Sequence, residues 1–224
     1  VHLHCPMISW NKKQFEDCKK NIAPVISSLH GSWLGEKDGL VTAAKQKETA
    51  VWANPNDLAI LLSANRYARF ENAAIINSNV CVANSKATKK DFLNRYLVPE
   101  DWDCEVIHWG VDTEMFTIDN PINQELRNRF GCSENGILLL AVGRLAARKG
   151  YGSLLKAFSL VNSELPDSRL VIVGRGHLRR RLLKQAHKLG ISSSVYIESS
   201  MSFSELASLF RNADLTIYPS YYEG

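Results

Sequence analysis

With 224 residues, 45% of them hydrophobic and 22% charged, the chain has the make-up of a soluble globular protein and room for one large domain or two small ones. A net charge of +4, from 27 basic against 23 acidic residues, is too mild to imply a nucleic-acid partner. No stretch reaches the roughly 18 uninterrupted apolar residues of a membrane span, and none reads as a signal peptide.

Val1-His-Leu-His-Cys5 reads as the inside or end of a short strand, and Phe15 to Ile22 as helix. Pro24 to Gly31 is then a strand closing on a His-Gly turn, which singles out His30; a lone histidine at a strand end is otherwise a hydrogen-bonded structural residue. Gly31 to Asn54 has no clear period, carries Trp33 and Trp52, and reads as a long loop. Asn54-Pro55-Asn56-Asp57 punctuates a helix start, and Leu58, Leu61, Leu62, Tyr67 and Phe70 carry a long helical pattern with Arg69 and Glu71 near its end. Asn79 to Ser85 is a buried strand, and Ser85 caps a helix from Lys86 to Leu97. Lys86, Lys89 and Lys90 read as a solvated face of that helix rather than a phosphate site. Asp101-Trp-Asp103 has the spacing of a divalent-ion motif, but it sits in a loop with Pro99, ahead of the strand Cys104 to Ile107, where a turn explains it better.

Asn120-Pro121 is expected to cap the next helix, with proline at its first position. The apolar run Ile137 to Val142 is a strand, and Ala141-Val-Gly-Arg-Leu-Ala-Ala-Arg-Lys-Gly150 turns it into the helix Tyr151 to Val161. Gly143 permits the sharp turn, while Arg144, Arg148 and Lys149 put up to three cations at a helix N-terminus that already favours anions. Such a turn can hold a doubly charged group such as a diphosphate, or be a solvated basic loop. Ser168 to Gly174 is a second buried strand, and Gly174-Arg-Gly176 opens another helix. His177 to Leu189 sets Leu178, Leu182, Leu183 and Ala186 against Arg179, Arg180, Arg181, Lys184 and Lys188. That face suits either water or anionic lipid. Val195 to Glu198 is a third strand, Ser202-Phe-Ser-Glu205 a capping box for the last helix, and Leu215 to Ser220 a fourth strand. Alternation of this kind predicts an α/β fold with doubly wound parallel sheets, whose ligands lie outside the carboxyl ends of the strands.

Cys5, Cys18, Cys81, Cys104 and Cys132 are odd in number and lack CxxC or Cys/His zinc spacing, so reduced thiols in a cytoplasmic protein are expected. A start inside a strand and an end at Glu223-Gly224, with no covering helix behind it, predict a piece of a longer chain.

The order GRL…KG from Gly143, VG-x-G-x-L-x-x-x-L from Val173 and A-D-L-x-I-x-P-S-x-x-E-G from Ala213 resembles the C-terminal domain of retaining GT-B glycosyltransferases, above all their large family four. Cys104-Glu-Val-Ile-His-Trp-Gly-Val-Asp-Thr-Glu-Met-Phe116 is similar to the segment that ends the family's N-terminal domain, with His108-Trp109 in place of the usual Pro-Asn and Gly110-Val-Asp112 retained. The resemblance implies a GT-B architecture of two Rossmann-like domains facing a cleft, both incomplete here. Residues 1–115 would be the end of the acceptor-side domain and 116–224 most of the nucleotide-sugar domain, hinged around 112–120.

By the same resemblance the protein is a metal-independent glycosyltransferase that moves a sugar from a UDP-, GDP- or ADP-sugar to a sugar, lipid or small-molecule acceptor with retention of configuration, using no cofactor. Arg144 and Lys149 match the diphosphate-binding pair, with Gly143 and Gly174 in the glycine turns; His30 matches a histidine near the donor sugar. Glu223 matches the first of two glutamates and would contact sugar hydroxyls, the second falling beyond Gly224. Ser199 to Met201 lies where the base is received, with Ser199 replacing a common glycine. Residues 31–54 would be an acceptor-side loop, and the location cytoplasmic with peripheral membrane contact. Three other readings stand beside this one: a non-catalytic nucleotide-binding module on the same fold, an epimerase, and a phosphorylase. The last two lack, respectively, identifiable acid residues and a pyridoxal-phosphate lysine signature.

Overall fold

Strands β1 (His2–His4), β2 (Ile26–Leu29), β3 (Val80–Ala83) and β4 (Cys104–Val106) form one parallel sheet in the order β1-β2-β3-β4. A second parallel sheet has the order β7-β6-β5-β8, from β5 (Ile137–Val142), β6 (Ser168–Val173), β7 (Val195–Glu198) and β8 (Leu215–Thr216). The computed structural model describes residues 1–4, 10–48, 54–119 and 121–224. The expectations for Cys5, Trp52 and Asn120 lie outside them. The chain divides into a first unit of Val1–Thr42, Ala50–Gly110 and Tyr222–Gly224, and a second of Ala43–Thr49 and Val111–Tyr221.

In the first unit each strand pairs with the next in sequence, so right-handed crossovers place the intervening helices on one side of the sheet. These include α1 (Lys12–Asn21), α3 (Pro55–Asn77) and α4 (Lys86–Arg95). Phe15, Cys18 and Val25 pack with Ala74 of α3, and Leu29, Cys81, Ala83 and Cys104 pack with Ile75 and Phe92. Asn11 and Gln14 form a capping box on α1, Asn54 caps α3 ahead of Pro55, and Ser85 caps α4. The lysine face of α4 is not wholly solvated: Lys89 Nζ donates to the Cys104 carbonyl at 2.6 Å.

The stretch expected as a loop after Gly31 is instead a helix, α2 (Trp33–Lys45). Its period is masked by Gly35 and Gly39, poor helix formers at about 1 kcal/mol each relative to alanine. Its start is secured by one local contact and one from a distant segment. Ser32 Oγ accepts from the Gly35 amide at 2.9 Å, and the Glu71 carboxylate accepts from the Trp33 amide at 3.1 and 3.2 Å. A Cβ at Gly35 would overlap the Tyr222 ring, which explains a glycine at that helical position.

The second unit is doubly wound. β5 leads through α6 (Tyr151–Glu164) to β6, and β6 through α7 (Arg179–Lys188) to β7; α8 (Phe203–Asn212) then returns the chain to β8 on the other side of β5. Reversal of direction puts α8 on the face opposite α6 and α7, and Leu209 of α8 packs with Leu138, Leu140, Val171 and Val173. The other residues of the strands, Leu139, Ala141, Leu170 and Ile172, are also buried, as expected for parallel strands covered on both faces. Helix α5 (Gln124–Arg129) starts later than expected: Asn123, not residue 120, is its N-cap, accepting from the Leu126 amide, so Pro121 is outside the helix. Helix α7 begins at Arg179, two residues after the expected start at His177. Two residues of its basic face are tied down, Arg179 to the Ile197 carbonyl and Arg181 to the Lys47 carbonyl. β8 is shorter than expected, although the Ile217 amide still donates to the Leu140 carbonyl at 2.7 Å.

Candidate functional site

In the second unit β6 lies on one side of β5 and β8 on the other, so the topological switch point falls between β5 and β8. Ligands of open α/β sheets bind in the crevice outside that point. Its rims are the turn Gly143–Gly150 after β5 and the segment Pro219–Tyr221 after β8. These rims touch: the Tyr221 amide donates to the Arg148 carbonyl at 2.8 Å. Gly150 has φ +69, and a Cβ there would overlap the Pro219 carbonyl. The neighbouring turn after β6 approaches as closely, since a Cβ at Gly174 would overlap the Gly143 carbonyl oxygen. The Leu145 amide donates to the Arg175 carbonyl at 2.8 Å and completes the join. Glycine at these positions is a condition for bringing three strand ends together.

The three expected cations do not share one environment. Arg144 is exposed, Lys149 is half-buried and Arg148 is buried, the last two within or beside a 3-10 turn, Ala147–Lys149. The N-terminus of α6 is already occupied. Glu48, buried, accepts from the Gly152 amide at 2.8 Å and the Ser153 amide at 2.7 Å, and from the Tyr221 hydroxyl at 3.0 Å. The expectation that this helix end supplies anion-binding donors is therefore corrected: those two N–H groups hold an internal carboxylate. Gly143, Arg144 and Lys149 make up the rest of the basic turn beside it. Further along the carboxyl edge, the Ser199 carbonyl accepts from Arg175 Nε at 3.2 Å, and Met201 packs against the α8-side core.

His30 and Glu223 belong to the first unit. His30 follows β2, with its ring stacked 6.1 Å from His4 and tilted against Trp109 at 5.2 Å. Its Nδ1 is buried without a partner among the described residues, as is Asn84 Oδ1 at the end of β3. Both line a cavity of about 340 Å³ with His2, His108 and Trp109. Burial, then the nearby His4 and His2, lower the His30 pKa, which favours the neutral imidazole. The backbone of Gly224 packs against His30 and Gly31, which sets Glu223 in the same neighbourhood.

Sequence reasoning leaves Glu71 without a role and does not single out Glu48. Glu71 is buried; it accepts from the Tyr96 hydroxyl as well as from Trp33, and desolvation pushes its pKa up to about 7. Beside it, Asp91 accepts from Ser32 Oγ at 2.7 Å and from the Tyr222 hydroxyl at 3.1 Å. No local signal marks Glu48, whose partners lie 104 and 105 positions along the chain. Asp101-Trp-Asp103 is a turn whose Asp103 carbonyl accepts from the Cys81 amide, and among the described residues no group of three or more His, Cys, Asp or Glu could hold a metal. Cys18, Cys81, Cys104 and Cys132 are free and buried.

The pattern of the second unit matches a known family, described as glycosyl transferases group 1, over residues 122–224. Those residues, a little under half of the chain, are similar to that family. Among similar proteins is a glycosyltransferase of Methanocaldococcus jannaschii, 25% identical over 202 residues, covering 89% of this chain and 46% of the relative. A GDP-mannose-dependent alpha-(1-6)-phosphatidylinositol monomannoside mannosyltransferase of Mycolicibacterium smegmatis is 25% identical over 195 residues, 87% of this chain and 44% of the relative. A D-inositol 3-phosphate glycosyltransferase of Thermobispora bispora is 32% identical over 152 residues, 63% of this chain and 35% of the relative. This chain thus spans less than half the length of these relatives. Its fold is similar to that of the sucrose-phosphate synthase of Thermosynechococcus elongatus, with a TM-score of 0.66 and 18% identity over all of this chain and 50% of that one. WaaG, a glycosyltransferase involved in lipopolysaccharide biosynthesis, gives 0.63 and 21% over 94% of this chain and 57% of that one. The group 1 similarity and these neighbours establish an α/β fold of GT-B type, with two parallel sheets. Among the described residues no helix is long and apolar enough to cross a membrane.

Proposed function

We propose that the protein transfers a sugar from a nucleotide diphosphate sugar to an acceptor, with retention of configuration and without a bound metal. The observation that carries this reading is the switch-point crevice between β5 and β8, where the turn bearing Arg144 and Lys149 meets the segment Pro219–Tyr221. The similarity of residues 122–224 to the group 1 family supports it. So do the activities of relatives that use GDP-mannose or act on D-inositol 3-phosphate, and a neighbour of known structure from Anabaena that is in complex with UDP.

Breaking the anomeric bond builds negative charge on the departing diphosphate. Fixed positive charge close to those oxygens lowers the barrier. Arg144 offers a two-pronged N–H grip and Lys149 a compact charge, and together they would do electrostatically what a metal ion does in other enzymes. Loss of one such donor costs about 3 kcal/mol of transition-state stabilisation, or roughly a hundredfold in rate. His30 and Glu223 carry, in the same proposal, the sugar-contacting roles that the resemblance implies; no general base is assigned. Attack and departure on one face of the sugar would retain configuration.

The test is calorimetric titration of UDP, GDP and ADP, with EDTA present, into the wild type and Arg144→Ala/Lys149→Ala. Binding of one nucleotide that disappears in the folded double variant supports the site and names the base. A folded wild type that binds none of them overturns it. Binding without transfer to any acceptor by the whole protein would favour a nucleotide-binding module instead.

A further inference from the structure

A second cluster of cations borders a cavity that lies wholly in the first unit. Arg66, Arg69, Phe70 and Ala73 of α3 recur at i, i+3, i+4 and i+7, which makes them one stripe of that helix. The lower end of the stripe is ordinary core: Ala73 packs with Phe15, Cys18 and Leu3, and Trp10 meets Phe15 edge-on at 5.4 Å. At the upper end, where the same period would normally place apolar residues against α1, the sequence puts two arginines. There the helices border an open cavity of about 340 Å³, lined by Trp10, Asn11, Lys12, Arg66, Arg69 and Phe70.

Among the described residues its charge is uncompensated. Lys12 makes only a long, exposed contact to Glu16 at 3.7 Å, and Arg66 and Arg69 have no ion-pair or hydrogen-bond partner among those residues. Like charges three apart on a helix repel one another, so the pair lowers stability unless something anionic lies against it. The first turn of α1 adds to this. It contains no acid, the Asn11 side chain accepts only from the Gln14 amide, and Asn11 and Lys12 line the opening, so the positive end of the helix lies beside it. Because α1 follows β1, this end lies on the carboxyl side of the sheet, where open α/β sheets take ligands.

We propose that this pocket binds a phosphate monoester carried on an apolar or ring-shaped body. The two guanidinium groups would grip the phosphate, and Trp10 and Phe70 would pack against the body. The phosphate can come from a free small molecule or from a lipid headgroup. The proposal does not rest on glycosyl transfer.

The test uses the full chain and two probes. In calorimetry, phenyl phosphate is expected to bind more tightly than inorganic phosphate, with phenol not binding. Arg66→Gln/Arg69→Gln, both exposed and therefore safe for folding, should weaken binding at least tenfold with a thermal melt no lower than that of the wild type. Arg144→Gln/Lys149→Gln should leave it intact, which separates this pocket from the glycine-turn site. In sedimentation, vesicles of phosphatidylcholine with and without phosphatidic acid identify the source. Retention on phosphatidic acid vesicles that Arg66→Gln/Arg69→Gln abolishes assigns a lipid headgroup, and phenyl phosphate binding alone assigns a free ligand. The proposal is overturned if neither probe binds, if Arg66→Gln/Arg69→Gln binds like the wild type, or if only Arg144→Gln/Lys149→Gln loses binding.

Discussion

The carboxylate of Glu48 caps the amide of Gly152 at 2.8 Å, 104 residues further along the chain. Its second oxygen takes the Ser153 amide at 2.7 Å and the Tyr221 hydroxyl at 3.0 Å. An anion from the protein itself thus satisfies the start of α6, directly beneath the turn that carries Lys149. Removing it should matter to that turn. Glu48→Ala leaves one buried and one half-buried N–H group without acceptors and is expected to cost about 1–2 kcal/mol, the usual loss on removing a cap. Urea denaturation of Glu48→Ala and Glu48→Gln measures it; the Gln variant, which keeps one acceptor, should lose less. Equal stability of all three proteins would show that the cap contributes nothing.

Gly174 is the next test of the crevice. Added to this residue, a Cβ would meet backbone, the Gly143 carbonyl oxygen, and backbone cannot swing aside as a side chain can. Gly174→Ala should therefore destabilise the protein by about 1–3 kcal/mol and displace the turn that presents Arg144. Nucleotide affinity is expected to fall at least tenfold under conditions where circular dichroism shows the variant folded. Full affinity in the folded variant would detach that turn from the binding site.

Glu71 predicts a pH dependence. Burial raises its folded pKa from 4.5 to about 7, so between those values the folded state holds a proton that the unfolded state has released. Stability from this group is complete below pH 4.5 and is lost as pH rises to about 7, by roughly 3 kcal/mol in all. Glu71→Gln imitates the protonated form and should flatten that part of the curve, leaving the variant more stable than the wild type at pH 8. Denaturant midpoints at pH 5 and pH 8 decide the matter, and parallel curves for the two proteins would rule it out.

His30 titrates in the opposite sense. Its folded pKa lies below the usual 6.5, first through burial and then through His4 and His2. The stability tied to its neutral ring is present above pH 6.5 and lost as pH falls through the lowered value. In an NMR titration its ring resonances should show a midpoint below 6.5. His4→Asn should raise that midpoint only part of the way, since desolvation persists. A wild-type midpoint at or above 6.5 would mean that the ring is solvated or paired.

Much of the local architecture is legible in the amino-acid sequence. Ser202-Phe-Ser-Glu205 is a capping box in fact as in pattern, Ser85 caps α4, and the strands β5 and β6 run where unbroken apolar residues place them. These features depend on residues within a few positions of one another. The basic turn is legible as well, in composition and in place, because strand, glycine and helix follow directly in sequence.

Near-neighbour chemistry therefore dictates the order of strands and helices, the capped helix starts, and the set of chemical groups gathered at the ends of β2, β5 and β6. How those groups are used is set by packing in three dimensions. Packing helps make a helix of Trp33–Lys45, whose glycines hide its period, because Glu71 holds the Trp33 amide and the Tyr222 ring takes the space beside Gly35. It fills the start of α6 with Glu48, and it sets Arg66 and Arg69 over an aromatic cavity with no acid against them among the described residues. The physical reason is common to all three. Propensity and periodicity act between near neighbours, whereas the partner that satisfies a buried donor, or fails to neutralise a charge, is chosen by packing between segments far apart in the chain.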